Sequence, residues 1–205
     1  MFEEIYNTYD WEKIKAGIYG STKDDVFRSL ARDTFTPDDI LPLFSPAADP
    51  FLEDMAAKSL FITRQRFGNT IQLYAPLYIS NVCSNSCVYC GFSRSNPIRR
   101  ITLTPREVED EARILYDRGF RHILLLTGED RRAVTPSDLA KIARSIHGRF
   151  ASVSIEVYPM ETDEYRMMAE SGIDGLTLYQ ETYHRETYAN VHPAGKKRDI
   201  SWRLN

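Results

Sequence analysis

The stretch Cys83-Ser84-Asn85-Ser86-Cys87-Val88-Tyr89-Cys90 contains all three cysteines of this 205-residue chain. Cysteines that pack a core would be spread among apolar positions, and an odd number leaves a thiol outside any disulfide. Three thiolates on one short loop can converge on a metal centre, since soft sulfur ligands suit iron–sulfur clusters, zinc and cuprous ions. Structural zinc and ordinary ferredoxin sites use four protein ligands. Three cysteines therefore leave one metal position open, which favours a reactive centre.

The sequence around this cysteine loop predicts alternating strands and helices. The apolar run Ile71–Ile79 leads into the loop, and the run His122–Leu126 is typical of a parallel strand buried on both faces. Capping sequences at Thr104-Pro105-Arg106-Glu107 and Thr135-Pro136-Ser137-Asp138 each open a helix with proline at its first position. Further strands are predicted at 152–157 and 175–179, with a helix at 163–171 between them. Such βα alternation predicts a parallel sheet with right-handed crossovers.

A (βα) barrel of the TIM type is the α/β fold that fits this order best. A Rossmann sheet would need a G-x-G-x-x-G turn after its first strand, and the chain has none. Functional groups of a barrel lie at the carboxyl ends of its strands. The cysteine loop, Thr127-Gly128-Glu129, Glu156 and Gln180-Glu181 all follow or end predicted strands. Four βα units make half of an eight-unit barrel, so we expect residues 70–205 to be the N-terminal half of a truncated barrel.

Residues 1–69 predict a helical N-terminal extension. Trp11, Ile14 and Ile18 recur at helical spacing, and a longer helix is predicted from about Pro50 to Arg66. We expect its apolar stripe to be core. The stripe consists of Leu52, Met55, Ala56 and Leu60.

Composition excludes several classes of function. The chain has 26 basic and 29 acidic residues and a net charge of −3, which does not indicate a nucleic-acid-binding protein. No run approaches the roughly 20 apolar residues of a membrane helix. The start Met1-Phe2-Glu3-Glu4 lacks the layout of a signal peptide. Clustered reduced thiols favour a cytoplasmic location.

The C-x3-C-x-aromatic-C loop after an apolar strand resembles the signature of the radical S-adenosylmethionine (SAM) enzymes. The resemblance implies that Cys83, Cys87 and Cys90 hold three irons of a 4Fe–4S cluster, whose fourth iron binds SAM and whose electron cleaves it to a 5′-deoxyadenosyl radical. It also implies that Tyr89 packs near the adenine. The alternative is a zinc loop that borrows a histidine, although no histidine stands at a zinc-ligand spacing. The candidates are His122, His147, His184 and His192.

Motifs outside the loop resemble the aromatic-amino-acid lyase branch of this family. They include Tyr78-Ile79-Ser80-Asn81, Gly91-Phe92-Ser93 and Tyr179-Gln180-Glu181-Thr182-Tyr183-His184. Two groups of tyrosine lyases share them, the 2-iminoacetate synthases of thiamine thiazole biosynthesis and the [FeFe]-hydrogenase maturases. Thr127-Gly128-Glu129 and the segment Gly195-Lys196-Lys197-Arg198-Asp199 favour the first group.

The resemblance implies cleavage of the Cα–Cβ bond of L-tyrosine to 2-iminoacetate and p-cresol. It implies flavodoxin or ferredoxin as electron donor, and a thiazole synthase as candidate partner. Glu129 can accept the ammonium of SAM, with the Thr127-Gly128 backbone allowing close approach. Glu156, and Gln180 or Glu181, can hold ribose hydroxyls or the methionyl group.

Each assignment has a structural alternative. Glu156 is also expected in a solvent-facing position, and Lys196-Lys197-Arg198 in a solvated basic turn. His184 and His192 are candidates for binding substrate, but are more simply interpreted as surface histidines. Tyrosines at such positions are more often packing residues than ligands; they are Tyr179, Tyr183 and Tyr188. A non-catalytic metal-binding scaffold remains the alternative from another functional class.

Overall fold

The computed structural model describes residues 2–205 and contains two compact units, one ending at Ile71 and one formed by Gln72–Asn205. The first unit is helical, as the sequence predicts. Its helices are α1 (Phe2–Tyr6), α2 (Trp11–Gly20), α3 (Lys23–Leu30), α4 (Pro37–Ile40) and α5 (Leu52–Phe67). Short 3₁₀ segments, Leu41–Phe44 and Pro46–Phe51, join α4 to α5.

The prediction that the stripe on α5 is core is wrong. Leu52 is 60 % exposed and Leu60 is 51 % exposed, and α5 has no buried residue. The helix is instead connected to α3 through a polar contact, because Lys58 donates to the carbonyl of Leu30 at 2.8 Å. A cation at the last carbonyls of a helix is favourable, so α5 is held partly by electrostatics rather than by its apolar stripe.

The second unit has the order of strands and helices that the sequence predicts for half of a (βα) barrel. Its strands β1–β4 form one parallel sheet in the order β1-β2-β3-β4. The strands are Tyr74–Ser80, His122–Thr127, Ser152–Glu156 and Gly175–Thr177. The helices are α6 (Pro105–Asp117), α7 (Pro136–Ile146), α8 (Thr162–Glu170), α9 (Arg185–Val191) and α10 (Ile200–Leu204).

Capping boxes fix where the crossover helices begin. At α6 the Glu107 amide donates to the Thr104 hydroxyl at 3.3 Å, and the Glu107 carboxylate accepts from the Thr104 amide at 2.7 Å. Thr135 and Asp138 make the same reciprocal pair at α7. Each pair satisfies backbone donors that a helix start would leave unpaired, so the predicted starts are confirmed.

The core lies between one face of the sheet and the crossover helices. Ile123 and Leu125 of β2 are buried there, together with Leu139 and Ile142 of α7. Burying such a side chain contributes about 1.5–3 kcal/mol. The opposite face is more open than the continuous apolar run predicts, since Leu124 and Leu126 are only half-buried. Helices cover one face of the sheet, and the carboxyl end of the other face opens into the site described below.

No helix within residues 2–205 is long and apolar enough to cross a membrane.

Candidate active site at the carboxyl ends of the strands

The cysteine loop (Cys83–Cys90) leaves the end of β1 and is held by backbone hydrogen bonds from two directions. The amide of Ser84 donates to the Glu129 carbonyl beyond β2 at 3.1 Å. On the other side, the amide of Ser86 donates to Ala194 at 3.0 Å, and the amide of Val88 donates to Val191 at 3.1 Å. The loop therefore has a defined conformation although it contains no regular secondary structure.

A cavity of about 260 Å³, here called the cysteine cavity, opens at the carboxyl ends of the strands. Parallel strands bring the residues that follow them to one edge of the sheet, which is why distant motifs meet here. Every site residue predicted from the sequence lines this cavity except Gln180. These residues are Cys83, Cys87, Cys90, Tyr89, Thr127, Gly128, Glu129, Glu156 and Glu181.

Gln180 is placed differently from its expected role. Its side chain is buried, and its Nε2 atom has no hydrogen-bond partner within residues 2–205. The neighbouring Glu181 adopts a positive φ of 59°, which turns the chain sharply after β4. This turn places Glu181, and not Gln180, on the cavity wall.

The end of β2 fits closely against the cysteine loop. A Cβ atom added to Gly128 would lie 2.3 Å from the carbonyl oxygen of Val82 and 3.1 Å from Cβ of Cys83. Only glycine allows this approach. Beside it, the Thr127 hydroxyl is buried on the cavity wall without a partner in the described chain. The cavity thus combines three thiols, close backbone and an unused polar group, which suits a cluster with a polar ligand.

Glu129 is held by two residues that sequence reasoning did not assign. Its carboxylate accepts from Asn85 Nδ2 at 2.8 Å and from Arg203 Nη1 at 2.6 Å. Asn85 is 1 % exposed, and Arg203 also donates to the Tyr179 carbonyl at 2.8 Å. Asn85 could have been suspected because it lies between the cysteines. Arg203 carries no local signal, since 74 residues separate it from Glu129.

Lys197 does not lie in a solvated basic turn, so that expectation is wrong. Its side chain is 11 % exposed, and its ammonium contacts Glu181 at 2.6 Å on the cavity wall. Burial opposes ionisation of Glu181, but the contacts with Lys197, Tyr89 and His192 together outweigh it and lower the pKa of that carboxyl. Burial raises the pKa of Glu156, against the attraction of Lys197. Glu156 is half-buried at the cavity and not freely solvated.

His192 is fully buried, so its expected place on the surface is also wrong. Its Nε2 atom lies 2.6 Å from the hydroxyl of Tyr89, and its ring packs on Tyr188. Burial raises the pKa of Tyr89 and lowers the pKa of His192. Tyr188 is a packing residue, as the simpler alternative supposes.

The three thiols line the same cavity. Within residues 2–205, no group of three or more His, Cys, Asp or Glu side chains is positioned to hold a single metal ion. Burial raises the pKa of Cys87 and so favours the protonated thiol, whereas a cation bound beside it would favour the thiolate.

A parallel βα sheet with three cysteines on the loop after its first strand defines a class of iron–sulfur enzyme core. Residues 77–205 match the Radical SAM superfamily, and the chain belongs to that superfamily. A 4Fe–4S cluster and SAM are the cofactors of the family, as the sequence predicts.

Curated relatives and solved structures narrow the resemblance. The chain is 43 % identical over 203 residues to 2-iminoacetate synthase of Escherichia coli, matching 99 % of this chain and 54 % of the relative. It is 27 % identical over 173 residues to [FeFe] hydrogenase maturase subunit HydE of Thermotoga maritima, matching 84 % and 49 %. The chain therefore spans about half the length of these relatives.

Among solved structures, HydG, a maturase of the [FeFe]-hydrogenase, superposes with a TM-score of 0.89 at 28 % identity. The match covers 95 % of this chain and 46 % of HydG. Methylornithine synthase (PylB) superposes with a TM-score of 0.65 at 23 % identity, covering 94 % and 53 %, and shares the fold.

Proposed function

We propose that this protein is a radical SAM tyrosine lyase, which cleaves the Cα–Cβ bond of L-tyrosine to 2-iminoacetate and p-cresol for the thiazole ring of thiamine. The observation that carries the proposal is the 43 % identity to 2-iminoacetate synthase along 99 % of the chain. The cysteine cavity supports it, because the predicted cofactor residues from four separate strands meet there.

In this proposal, Cys83, Cys87 and Cys90 hold the cluster, which together with SAM supplies the one-electron chemistry that generates the radical. Glu129 orients the SAM ammonium, with a carboxylate already fixed by Asn85. The Tyr89 ring forms the wall beside the nucleotide.

The remaining cavity residues hold polar groups of SAM and form one apolar wall of the site. Glu156 and Glu181 offer carboxylate acceptors to ribose hydroxyls, and Lys197 keeps Glu181 ionised. Tyr78 and Phe92 pack edge to face at 5.8 Å between ring centroids and form an apolar wall. Such a wall shields a reactive species from solvent, where side reactions compete.

The proposal extends to organisation and partners. The unit Gln72–Asn205 is the first half of the radical SAM barrel, and the helical residues before it are an extension of that core. L-Tyrosine is the substrate, flavodoxin or ferredoxin is the reductant, and a thiazole synthase takes the product. Because the thiols must stay reduced to bind iron, the protein acts in the cytoplasm.

The deciding experiment is an anaerobic assay of the reconstituted protein, extended by four further βα units, with dithionite, SAM and L-tyrosine. We expect p-cresol and, after hydrolysis of the imine, glyoxylate in equal amounts. A protein that cleaves SAM without producing p-cresol from tyrosine is not a tyrosine lyase. Tight zinc binding with no iron uptake would instead support the scaffold alternative.

A maturase of the HydG type is the second candidate, because the structural match to HydG has a TM-score of 0.89. Both candidates would make p-cresol, so growth decides between them. We expect the gene to restore thiamine-independent growth to a strain that lacks 2-iminoacetate synthase. Failure to do so, with p-cresol formation intact, would favour the maturase.

A further inference from the structure

The segment Val191–Lys197, here called the clamp segment, lies along the cysteine loop. Two of its carbonyls accept from Val88 and Ser86, and the amide of Lys197 donates to Asn85 Oδ1 at 2.9 Å. Gly195 has a φ of +93°, and a Cβ atom there would lie 2.2 Å from Asn85 Oδ1. The clamp segment therefore fixes the loop backbone at several points before its last turn.

One side-chain hydrogen bond continues this contact into the last turn, between the Tyr89 hydroxyl and His192 Nε2 at 2.6 Å. The direction of this bond follows from the other ring nitrogen. His192 Nδ1 lies 2.9 Å from the carbonyl oxygen of Tyr188, which can only accept, so Nδ1 carries a hydrogen. In the neutral ring Nε2 is then an acceptor to which the Tyr89 hydroxyl donates. The Glu181 carboxylate lies 3.6 Å from Nε2 and is a second acceptor beside the same hydroxyl. Burial lowers the pKa of His192 and so favours this neutral form.

His192 has little freedom to move. It is 0 % exposed, and its ring lies 4.1 Å from the ring of Tyr188, centroid to centroid. Tyr188 is itself buried, and its hydroxyl donates to the Lys197 carbonyl. The acceptor for Tyr89 thus belongs to a rigid, packed cluster rather than to a mobile loop.

Tyr89 stands between the two cysteines of the C-x2-C turn, and its ring lines the cysteine cavity. The Lys197 ammonium lies 5.9 Å from the ring centroid, and the ring meets His192 edge to face at 5.5 Å. Fixing the hydroxyl therefore fixes two features together. One is the plane of the aromatic wall, and the other is the turn from Cys87 to Cys90.

We propose that His192 is a positioning residue of the radical SAM site, which accepts the Tyr89 hydroxyl and thereby sets both the aromatic wall for SAM and the Cys87–Cys90 turn. The proposal rests on membership of the superfamily and not on the tyrosine lyase activity. Its test therefore uses SAM binding and the cluster spectrum, which stay measurable if the substrate is not tyrosine.

Three single variants test the hydrogen bond, and the two at His192 leave the contact between Tyr89 and Glu181 in place. Tyr89→Phe keeps the ring and removes only the hydroxyl. His192→Phe keeps a buried aromatic ring and removes the acceptor. His192→Gln retains an acceptor near the position of Nε2. His147→Phe is the matched control, since His147 is an exposed histidine that contacts the Gly172 carbonyl at 3.2 Å, away from the cysteine cavity.

Each protein is reconstituted anaerobically with iron and sulfide, and iron content, SAM affinity and the electron paramagnetic resonance spectrum of the reduced cluster with SAM are measured. We expect Tyr89→Phe and His192→Phe to raise the Kd for SAM about tenfold, the effect of roughly one hydrogen bond. Both should alter the spectrum. His192→Gln should stay within about threefold of the parent protein, as should the control.

The double variant Tyr89→Phe/His192→Phe should have a Kd for SAM no higher than that of the single variant that binds SAM more weakly, because both substitutions remove the same hydrogen bond. Parent-like Kd and spectrum in Tyr89→Phe would overturn the proposal, as would multiplied effects in the double variant. If His192→Phe fails to fold, Tyr89→Phe and His192→Gln decide the question alone. If His192 had a purely structural role, His192→Phe would lower the melting temperature and leave the spectrum of the folded protein unchanged.

Discussion

At the scale of single residues, Asn85 connects the three chain segments that form the site. Its amide nitrogen donates to Glu129 beyond β2, its amide oxygen accepts from Lys197, and its own carbonyl accepts from Arg94. Asn85 makes these three hydrogen bonds although it is only 1 % exposed. A buried side chain whose amide nitrogen and oxygen both have partners restricts its neighbours to few arrangements, so Asn85 orients the Glu129 carboxylate toward the cavity.

Replacing Glu129 tests whether that carboxylate binds SAM. We expect Glu129→Ala to retain the cluster and to weaken SAM binding by about tenfold to a hundredfold, because an ammonium loses a charge-assisted partner of roughly 1.5–3 kcal/mol. Iron content and equilibrium binding measure the two effects separately. Since Arg203 also loses its ion-pair partner, the melting temperature should fall as well. Unchanged SAM affinity would leave Glu129 with a structural role only.

Each cysteine is expected to be essential for the cluster. Cys83→Ala, Cys87→Ala and Cys90→Ala should each abolish reconstitution of an oxygen-sensitive chromophore in the visible range, because a 4Fe–4S cluster needs three protein thiolates here. Iron and sulfide analysis gives the measurement, with Ser86→Ala as the control within the same loop. A variant that keeps about four irons per chain would remove its cysteine from the ligand set.

At the scale of elements, the capping boxes make helix stability depend on pH. Hydrogen bonds from the Thr135 hydroxyl and backbone lower the pKa of Asp138 from 3.8, its usual value. The folded state therefore binds this proton less readily than the unfolded state, so the stabilisation is present at neutral pH and lost as pH falls below about 4.

We expect Asp138→Asn to lower the melting temperature at pH 7 and to flatten its decline between about pH 5 and 3. Thermal unfolding followed by circular dichroism at several pH values measures both effects. The exposed Asp117→Asn, at the end of α6, is the control. An equally steep acid decline in Asp138→Asn and in the parent protein would contradict the prediction.

The contact between the end of β2 and the cysteine loop predicts the effect of one methyl group. Gly128→Ala places Cβ against the Val82 backbone, which cannot yield as a flexible side chain would. We expect a loss of about 1–3 kcal/mol in unfolding free energy and weaker SAM binding, as the loop is displaced. Gly148→Ala is the control, because nothing lies within 4 Å of its added Cβ. Equal stability of the two variants would show that the loop adapts freely.

Local patterns predicted the elements well and the cavity in part. The cysteine spacing, the caps at Thr104 and Thr135 and the apolar run of β2 are short-range signals, and each element formed where they indicate. Burial that depends on distant contacts was not visible. Lys197 and His192 read as surface residues because their partners, Glu181 and Tyr89, are 16 and 103 positions away in the chain.

At the scale of the whole molecule, helices of the unit Gln72–Asn205 cover one face of the sheet. Within the described chain β1 and β4 each have a single neighbour, so the site is walled by four strand ends and open beyond them. An open site admits water to the reacting groups, and water favours side reactions.

We therefore expect the 205-residue chain alone to bind iron and SAM but to form little or no p-cresol. A form with four further βα units should be active, because it closes the barrel. Both proteins are reconstituted and assayed anaerobically with a reductant, and p-cresol is measured by chromatography. Rapid p-cresol formation by the 205-residue chain would show that four βα units suffice.

The position of the clamp segment in the chain means that it is translated well after the cysteine loop that it contacts. The loop that carries the cysteines is complete at Cys90, yet its amides pair with Val191 and Ala194. A ribosome adds roughly 5–20 residues each second, so these partners emerge about 5–20 s after the cysteines. Until then the loop lacks the hydrogen bonds to the clamp segment and keeps those to the end of β2. We therefore expect cluster assembly to follow translation of the clamp segment.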